Sequence, residues 1–548
     1  MNSIRHMLLA SLPCLAAVSL AEGNDDTIVR VFVFAGQSNM VGADSKVEDI
    51  DNFPPFEGYG EPQPDVRFFY CLGRENKTKS DGWIDLQPIR NMVGPELSFA
   101  RRVKESIDTP VAIIKVAAGG THLGGDWNPR EPSGFKMYPL ALQTIRDALK
   151  ELDQQGIKYR LEGFMWHQGE NDMFNPEYRA NYGKNLADFL ACWRRDLRAP
   201  DLRFYIGELC TKTIWGMDLR PRMYDISLGQ KEVANDDPNA EYVPTSHVGV
   251  EIGGGVGLHY HYGTLGQLQH GVNYAEAYLR ELGKLEQPSR ELHPWPYENK
   301  SPVKLFVLAG HRNMEGERAF LQTLQAHPRG KKLHRDNPKI AYRYSLGGGY
   351  KTSQDWEPMG TVDYYQTFGP ELSFCDTLES HGVENIAVAK FTHSGSQIID
   401  WTPTGSIAKS RNLYPKFIQF VRDSIESLSS RGHDVELAGI FYHVGENDMS
   451  WGPFRKGAPE RVVSLISQSR IDLDRPDLVW FVSQQPPTDD KAVNEIDVSK
   501  ELTRLLAQDQ ATIHLPLDDL PPQDKKLVID TDGIIWLGDR LAEAYLDH

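Results

Sequence analysis

The chain repeats itself, and the repeat decides its architecture before composition says anything. Val33-Phe34-Ala35-Gly36-Gln37-Ser38-Asn39-Met40 is answered by Val307-Leu308-Ala309-Gly310-His311-Arg312-Asn313-Met314, at an offset of 274 residues. Gly94-Pro95-Glu96-Leu97-Ser98-Phe99 recurs as Gly369-Pro370-Glu371-Leu372-Ser373-Phe374, and Gly169-Glu170-Asn171-Asp172-Met173 as Gly445-Glu446-Asn447-Asp448-Met449, at offsets of 275 and 276. Near the two ends, Ala275-Glu276-Ala277-Tyr278-Leu279 matches Ala542-Glu543-Ala544-Tyr545-Leu546 at an offset of 267, so the second copy has lost loop length there. Blocks in register over hundreds of residues mean one fold used twice. Between the copies stand Pro288, Pro294, Pro296 and Pro302, a spacing that neither a helix nor a central strand tolerates. The expected organisation is a first domain over 27–285, a linker over 286–302 and a second domain over 303–548.

Composition narrows the class. Hydrophobic residues are 40% and charged residues 25% of the 548, which excludes disordered, collagenous and disulfide-scaffold chains. The 59 Lys+Arg against 76 Asp+Glu leave a net charge of −17, and such a surface repels phosphate backbones and anionic lipid, so neither nucleic acid nor a membrane is an expected partner. Arg5 and His6 precede an apolar run from Met7 to Leu20 that ends in the small-residue pattern Ser19-Leu20-Ala21. We read residues 1–21 as a secretory signal, which places the mature chain outside the cytoplasm or in a periplasm. A membrane anchor is the alternative, but the run is short of the ~20 residues a span needs. Cys71, Cys192, Cys210 and Cys375 remain after the signal, allow at most two disulfides and contain no metal-ligand spacing.

Within each copy, strand and helix patterns alternate. Ile28–Ala35, Val111–Val116, Leu161–His167 and Leu202–Leu209 read as buried strands, and Pro95–Ser106, Pro139–Leu152, Glu177–Leu197 and Gln267–Leu282 as helices. This alternation predicts an α/β fold, two tandem three-layer sandwiches of flavodoxin type with central parallel sheets. Chemistry then belongs on the loops that follow the strands.

Ser38 stands three residues past the first strand, in a turn opened by Gly36 that would lift it to the sheet rim. A serine there caps a helix unless a histidine is at hand to take its proton. Gly119-Gly120 follows the second strand and offers backbone N–H groups to an oxyanion, while Asn171 follows the third and offers an amide. All three arrive at one sheet edge. His259 and His261 both stand before the final helix as candidate bases, and with His247 or Glu251 they also form an alternative metal-ligand set.

Gly-Gln-Ser-Asn at 36–39, Gly119-Gly120-Thr121, His-Gln-Gly-Glu at 167–170 and a histidine before the last helix together resemble the SGNH hydrolases. More narrowly they resemble the sialate O-acetylesterase-like (SASA) proteins and the acetylxylan esterases of carbohydrate esterase family six. The resemblance implies Ser38 as nucleophile, His261 as general base, and an oxyanion hole formed by the Ser38 N–H, the Gly120 N–H and the Asn171 amide. His261 is favoured over His259 because it stands ten residues before Gly271, the glycine taken to open the final helix. Gln37, Gln168, Thr121 and Trp127 are expected to contact substrate, an acetylated carbohydrate, and no cofactor or metal is required. The family's usual aspartate three residues before the base is absent, since position 258 is Leu. Glu251, brought back by Gly253-Gly254-Gly255, or a backbone carbonyl is expected to orient His261 in its place. His167, Glu170 and Glu96 have counterparts in the second copy and are expected to fix loops.

In the second copy Ser38 becomes Arg312, Gln37 becomes His311, Gln168 becomes Val444 and His261 becomes Val528, while Gly395 and Asn447 are kept. The fold survives without its proton-transfer pair, so the second domain is expected to be catalytically dead. The resulting expectation is a secreted serine esterase that removes acetyl or other small acyl groups from carbohydrate hydroxyls. A non-catalytic carbohydrate-binding scaffold and a lipid or thioester acylhydrolase are the alternatives.

Overall fold

The structure, a computed structural model, describes residues 28–548 apart from 76, 215–216, 250–259, 286–289, 407–410, 451, 486–497 and 524–527. The expected signal at 1–21, Glu251, Gly253–Gly255 and His259 lie outside the described residues. Among those described, no helix is long and apolar enough to cross a membrane.

Two sheets of mostly parallel strands form, one per copy. In the first, β1 (Val29–Gly36), β2 (Gln63–Leu72), β3 (Val111–Ala117), β4 (Tyr159–His167), β5 (Phe204–Gly207) and β6 (Ala240–Val243) lie side by side in the order β6-β5-β4-β1-β3-β2. All five pairings are parallel. In the second, β7 (Pro302–Gly310), β8 (Asn337–Leu346), β9 (Ile386–Thr392), β10 (Asp434–His443), β11 (Trp480–Gln484) and β12 (Thr512–Pro516) repeat it as β12-β11-β10-β7-β9-β8. The order starts in the middle and runs both ways, so the strand order reverses beside β1 and β7. Such a switch opens a crevice at the carboxyl ends of the strands.

Each central strand is buried on both faces. Val31, Val33 and Ala35 enter one apolar core, Phe32 and Phe34 the other, as a period of two requires. The first core is closed by α2 (Met137–Gln154), α3 (Tyr182–Asp196) and α4 (Arg220–Asp236), the second by α1 (Glu96–Ser106) and α5 (Gly263–Glu281). In the second copy α6 (Glu371–Ser380), α7 (Tyr414–Ser430), α8 (Ala458–Asp472) and α9 (Thr531–Leu546) take the places of α1, α2, α3 and α5.

Several elements differ from the sequence expectation. The helix expected over Glu177–Leu197 is two pieces, Pro176–Ala180 and α3, with Asn181 between them at φ −103°, ψ 12°. The final helix starts at Gly263, one turn before the expected Gln267, and Gly271, taken as its opening glycine, lies well inside it. A Cβ on Gly271 would sit 2.0 Å from the Pro95 carbonyl oxygen, and one on Gly538 2.2 Å from that of Pro370. Both glycines therefore mark the same close helix crossing, α1 on α5 and α6 on α9, which is why counting back from them still finds equivalent residues. Within the stretch read as a linker, Leu292 and Tyr297 are buried in a core of the second copy, and Tyr297 Oη donates to the Ile386 carbonyl. Cys71, Cys192, Cys210 and Cys375 are all buried and free.

Candidate active site

The register puts Gly36 opposite Ala117 of β3 and His167 of β4, so the three loops carrying Ser38, Gly119-Gly120 and Asn171 leave adjacent strand ends. Gly36 has φ +154°, and a Cβ there would meet the His167 carbonyl oxygen at 2.0 Å. Only glycine lets β1 turn this closely against β4. The turn leads into a one-turn helix, Ser38–Val41, which holds Ser38 partly open at the rim while Gln37 and Asn39 on either side are buried. The ideal Cβ position of Gly119 is 3.5 Å from Ser38 Cβ, and that of Gly120 is 4.0 Å from Asn171 Nδ2, so the three loops converge on one point.

Gln37 decides which way the amide of Asn171 faces. Its Nε2 donates to Asn171 Oδ1 at 3.2 Å, which occupies the carbonyl end and leaves the NH₂ end toward Gly120. Gln37 Oε1 in turn accepts from Gln168 Nε2 at 3.1 Å, and Gln168 Nε2 also reaches the Thr121 carbonyl at 2.9 Å. Asp172 accepts from the N–H groups of Leu123 (2.8 Å) and Gly124 (3.0 Å), tying the loop after β3 to the loop after β4. Burial raises the Asp172 carboxyl above its ordinary value, with these hydrogen bonds opposing.

This geometry corrects one sequence expectation and redefines three. Trp127 exposes 0% of its surface; its ring packs on Trp166 and its Nε1 donates to Thr121 Oγ1 at 3.0 Å. It belongs to the core, because a large indole following a glycine-rich loop fills the space beneath that loop. Trp401 makes the same bond to Ser396 in the second copy. Gln37, Gln168 and Thr121 are buried as well and brace the loops from below. The structural reading of Glu96 fits its buried ion pair with Lys115 at 2.7 Å, matched by Glu371 and Lys390 at 2.7 Å.

Asn39 ties the segment around His261 to the turn that carries Ser38. Its Nδ2 donates to the Tyr260 carbonyl (2.9 Å) and to Glu170 Oε1 (2.6 Å), and its Oδ1 accepts from Tyr262 N–H (3.3 Å). Burial works to raise the Glu170 carboxyl, yet His167 and the hydrogen bonds around it hold it below the ordinary range. His261 is thus clamped on both sides by the residue that follows Ser38. In the second copy Asn313 Oδ1 accepts from Ile529 N–H at 2.9 Å, which makes Val528 the positional equivalent of His261.

A residue that sequence reasoning missed completes this corner. His261 Nδ1 lies 2.6 Å from Asp44 Oδ2. The carboxylate comes from the turn that carries Ser38, where Gly42 and Asp44 both have positive φ, and not from the loop that precedes the histidine. Also unforeseen is Arg74, whose guanidinium lies beside Gly120 and over the Phe135 ring at 4.7 Å. Among the described residues it forms no ion pair.

The second copy uses the same scaffold otherwise. Arg312 is buried and lies 3.3 Å from Glu317, and Asn447 Nδ2 donates to the carbonyls of Ser394 (3.1 Å) and Ser396 (2.9 Å). The amide that faces the cleft in the first copy is consumed in the second by the neighbouring loop, the one that follows β9.

In fold comparisons the chain is similar to a protein from Arabidopsis thaliana, at 20% identity over 46% of this chain and 98% of that one, with a TM-score of 0.35. It is similar to NanS at 16% identity over 47% and 99%, TM-score 0.35. It is also similar to a carbohydrate acetylesterase from Xanthomonas citri at 14% identity over 47% and 57%, TM-score 0.34. No curated protein matches the sequence. A family model described as carbohydrate esterase, sialic acid-specific acetylesterase (SASA), matches residues 28–280 and again 302–547, and the chain therefore belongs to that family, in two copies.

Proposed function

We propose that the first copy is a serine esterase that removes acetyl groups from carbohydrate hydroxyls. The observation that carries this reading is the convergence of Ser38, Gly119-Gly120 and the outward-facing amide of Asn171, with His261 clamped alongside by Asn39. In this reading His261 takes the Ser38 proton as Oγ attacks the ester carbonyl, and the tetrahedral oxyanion is received by the Ser38 and Gly120 N–H groups and Asn171 Nδ2. His261 then protonates the departing sugar oxygen, and a water activated by the same imidazole releases acetate from Ser38. Asp44 accepts the Nδ1 hydrogen, fixes the tautomer that leaves Nε2 free for Ser38, and stabilises the imidazolium.

The second copy, with Arg312 and Val528 in the reactive positions, is read as non-catalytic, and residues 27–285 and 303–548 as the two domains. The N-terminal pattern at 1–21 supports export. Arg74, a cation without an ion-pair partner among the described residues and adjacent to Gly120, suits a substrate that carries a carboxylate. Release of acetate from acetylated xylan, acetylated pectin and O-acetylated sialic acid, compared in the wild type and Arg74→Ala, tests the reading. Ser38-dependent turnover, with KM rising in Arg74→Ala for the acidic substrates alone, is expected. No turnover on any acetylated sugar would overturn it.

A further inference from the structure

The second copy has lost its reactive pair yet is kept whole, and its carboxyl edge is turned toward the first. Lys212 Nζ donates to the carbonyl oxygen of Gly395, the residue equivalent to Gly120. A Cβ on Gly395 would fall 1.5 Å from the Ser246 carbonyl oxygen, so the first copy fills the space over that loop. Arg220 Nη1 donates to Gln397 Oε1 at 2.9 Å. At the centre, Arg411 of the second copy donates to Glu208 Oε1 at 3.1 Å with both side chains buried.

Glu208 stands just after β5, and its other carboxylate oxygen accepts from the N–H groups of Thr245 and Ser246, each at 3.0 Å. From there the contacts run to the base. Thr245 Oγ1 donates to the Glu208 carbonyl at 2.7 Å and lies 2.7 Å from Tyr262 Oη. Cys210 Sγ donates to Tyr262 Oη at 3.2 Å, and Thr211 Oγ1 donates to the Tyr260 carbonyl at 3.2 Å. The segment 208–212 therefore touches the second copy through its two charged side chains, and grips residues 260 and 262, the neighbours of His261, through those between them.

We propose that the second copy is a working part of the first copy's site, with Arg411 acting through Glu208 as a positioning residue that sets His261 against Asp44 and Ser38. This rests on the esterase reading above. A buried ion pair is rigid where a loop is not, since breaking it leaves an uncompensated charge. A base displaced by about 1 Å loses on the order of 10² in rate.

The test uses the intact chain with a chromogenic acetate ester. Arg411→Met is expected to lower kcat by about 10²-fold with little change in KM, and Lys212→Met, which keeps the Glu208–Arg411 pair, to lower it by about tenfold. The second variant serves if the first is not recovered folded. A double-mutant cycle gives the readout that a merely structural role would not move. If Arg411 works by holding His261 to Asp44, then adding Asp44→Asn to Arg411→Met costs much less than Asp44→Asn alone. Additive losses, or a folded Arg411→Met with wild-type kcat, would overturn the proposal while leaving Ser38-dependent turnover in place. Absence of Ser38-dependent turnover in the wild type would remove the esterase reading and this inference with it.

Discussion

Asp44→Asn isolates the charge beside His261 and little else, because the asparagine Oδ1 still accepts the Nδ1 hydrogen and so preserves the tautomer. What is lost is the attraction between the carboxylate and the imidazolium that forms as Ser38 is deprotonated. Asp44 is 61% exposed, so water screens the pair strongly. At the 2.6 Å separation, two unit charges attract by about 1.6 kcal/mol at a dielectric near 80, and by about 3 kcal/mol near 40. At 1.36 kcal/mol per tenfold change, kcat is expected to fall by roughly 10 to 200-fold, far less than the loss of a buried triad carboxylate entails. Steady-state turnover of a chromogenic acetate at pH 8 measures this directly, with Glu251→Gln run in parallel to separate the two carboxylates. Asp44→Asn within twofold of wild type would make Asp44 a solvated loop residue and refute the reasoning.

The oxyanion assignment predicts that Asn171→Ala lowers kcat by roughly 10²–10³, whereas Asn447→Ala, which only loosens the loop around Gly395, costs at most about the tenfold expected for Lys212→Met; equal effects would show that both amides serve only the scaffold. The interface between the copies predicts a specific acid sensitivity. Burial works to raise the Glu208 carboxyl, but Arg411, Lys231 and the Thr245 and Ser246 N–H groups outweigh it and hold it at about 2, below the ordinary 4.5. The unfolded chain therefore binds the extra proton first, and stability from this group is complete above pH 4.5 and lost as pH falls through 2. The full contribution is about 3 kcal/mol at 1.36 kcal/mol per unit. In urea unfolding, the gap between wild type and Glu208→Gln should close between pH 4.5 and 2, and a gap independent of pH would contradict the assignment.

Much of this was legible in the sequence because motifs sit where strands end. Gly36-Gln37-Ser38-Asn39 and Gly169-Glu170-Asn171-Asp172 are short, but the parallel sheet puts their loops on adjacent strand ends, so order along the chain became proximity in space. The match of His261 to Val528 survived a misplaced helix start, since Gly271 and Gly538 mark equivalent helix crossings. Gly263 and Gly266 hid the first turn of α5, and Gly229 hid α4, because glycine reads as a breaker where it here admits a close approach. Trp127 was expected to contact substrate, yet a following loop can turn an aromatic inward as readily as outward, and no local pattern distinguishes the two. Asp44 was missed for a different reason. The sequence places its candidate carboxylate, Glu251, on the histidine's own loop, whereas the carboxylate at His261 Nδ1 comes from a turn 217 residues away, the turn that carries Ser38. The outward face of Asn171 rests on Gln37, which holds its carbonyl end, and the inward face of Asn447 on the Ser394 and Ser396 carbonyls that take up its NH₂ group, which identical Gly-Glu-Asn-Asp motifs cannot express.

The central claim, that the first copy hydrolyses acetyl esters through Ser38, is tested most directly by acetate release from the intact chain and its Ser38→Ala variant under identical conditions. The account predicts a loss on the order of 10⁶ in kcat with the fold retained by circular dichroism. A folded Ser38→Ala chain that keeps more than a few per cent of wild-type turnover would contradict it.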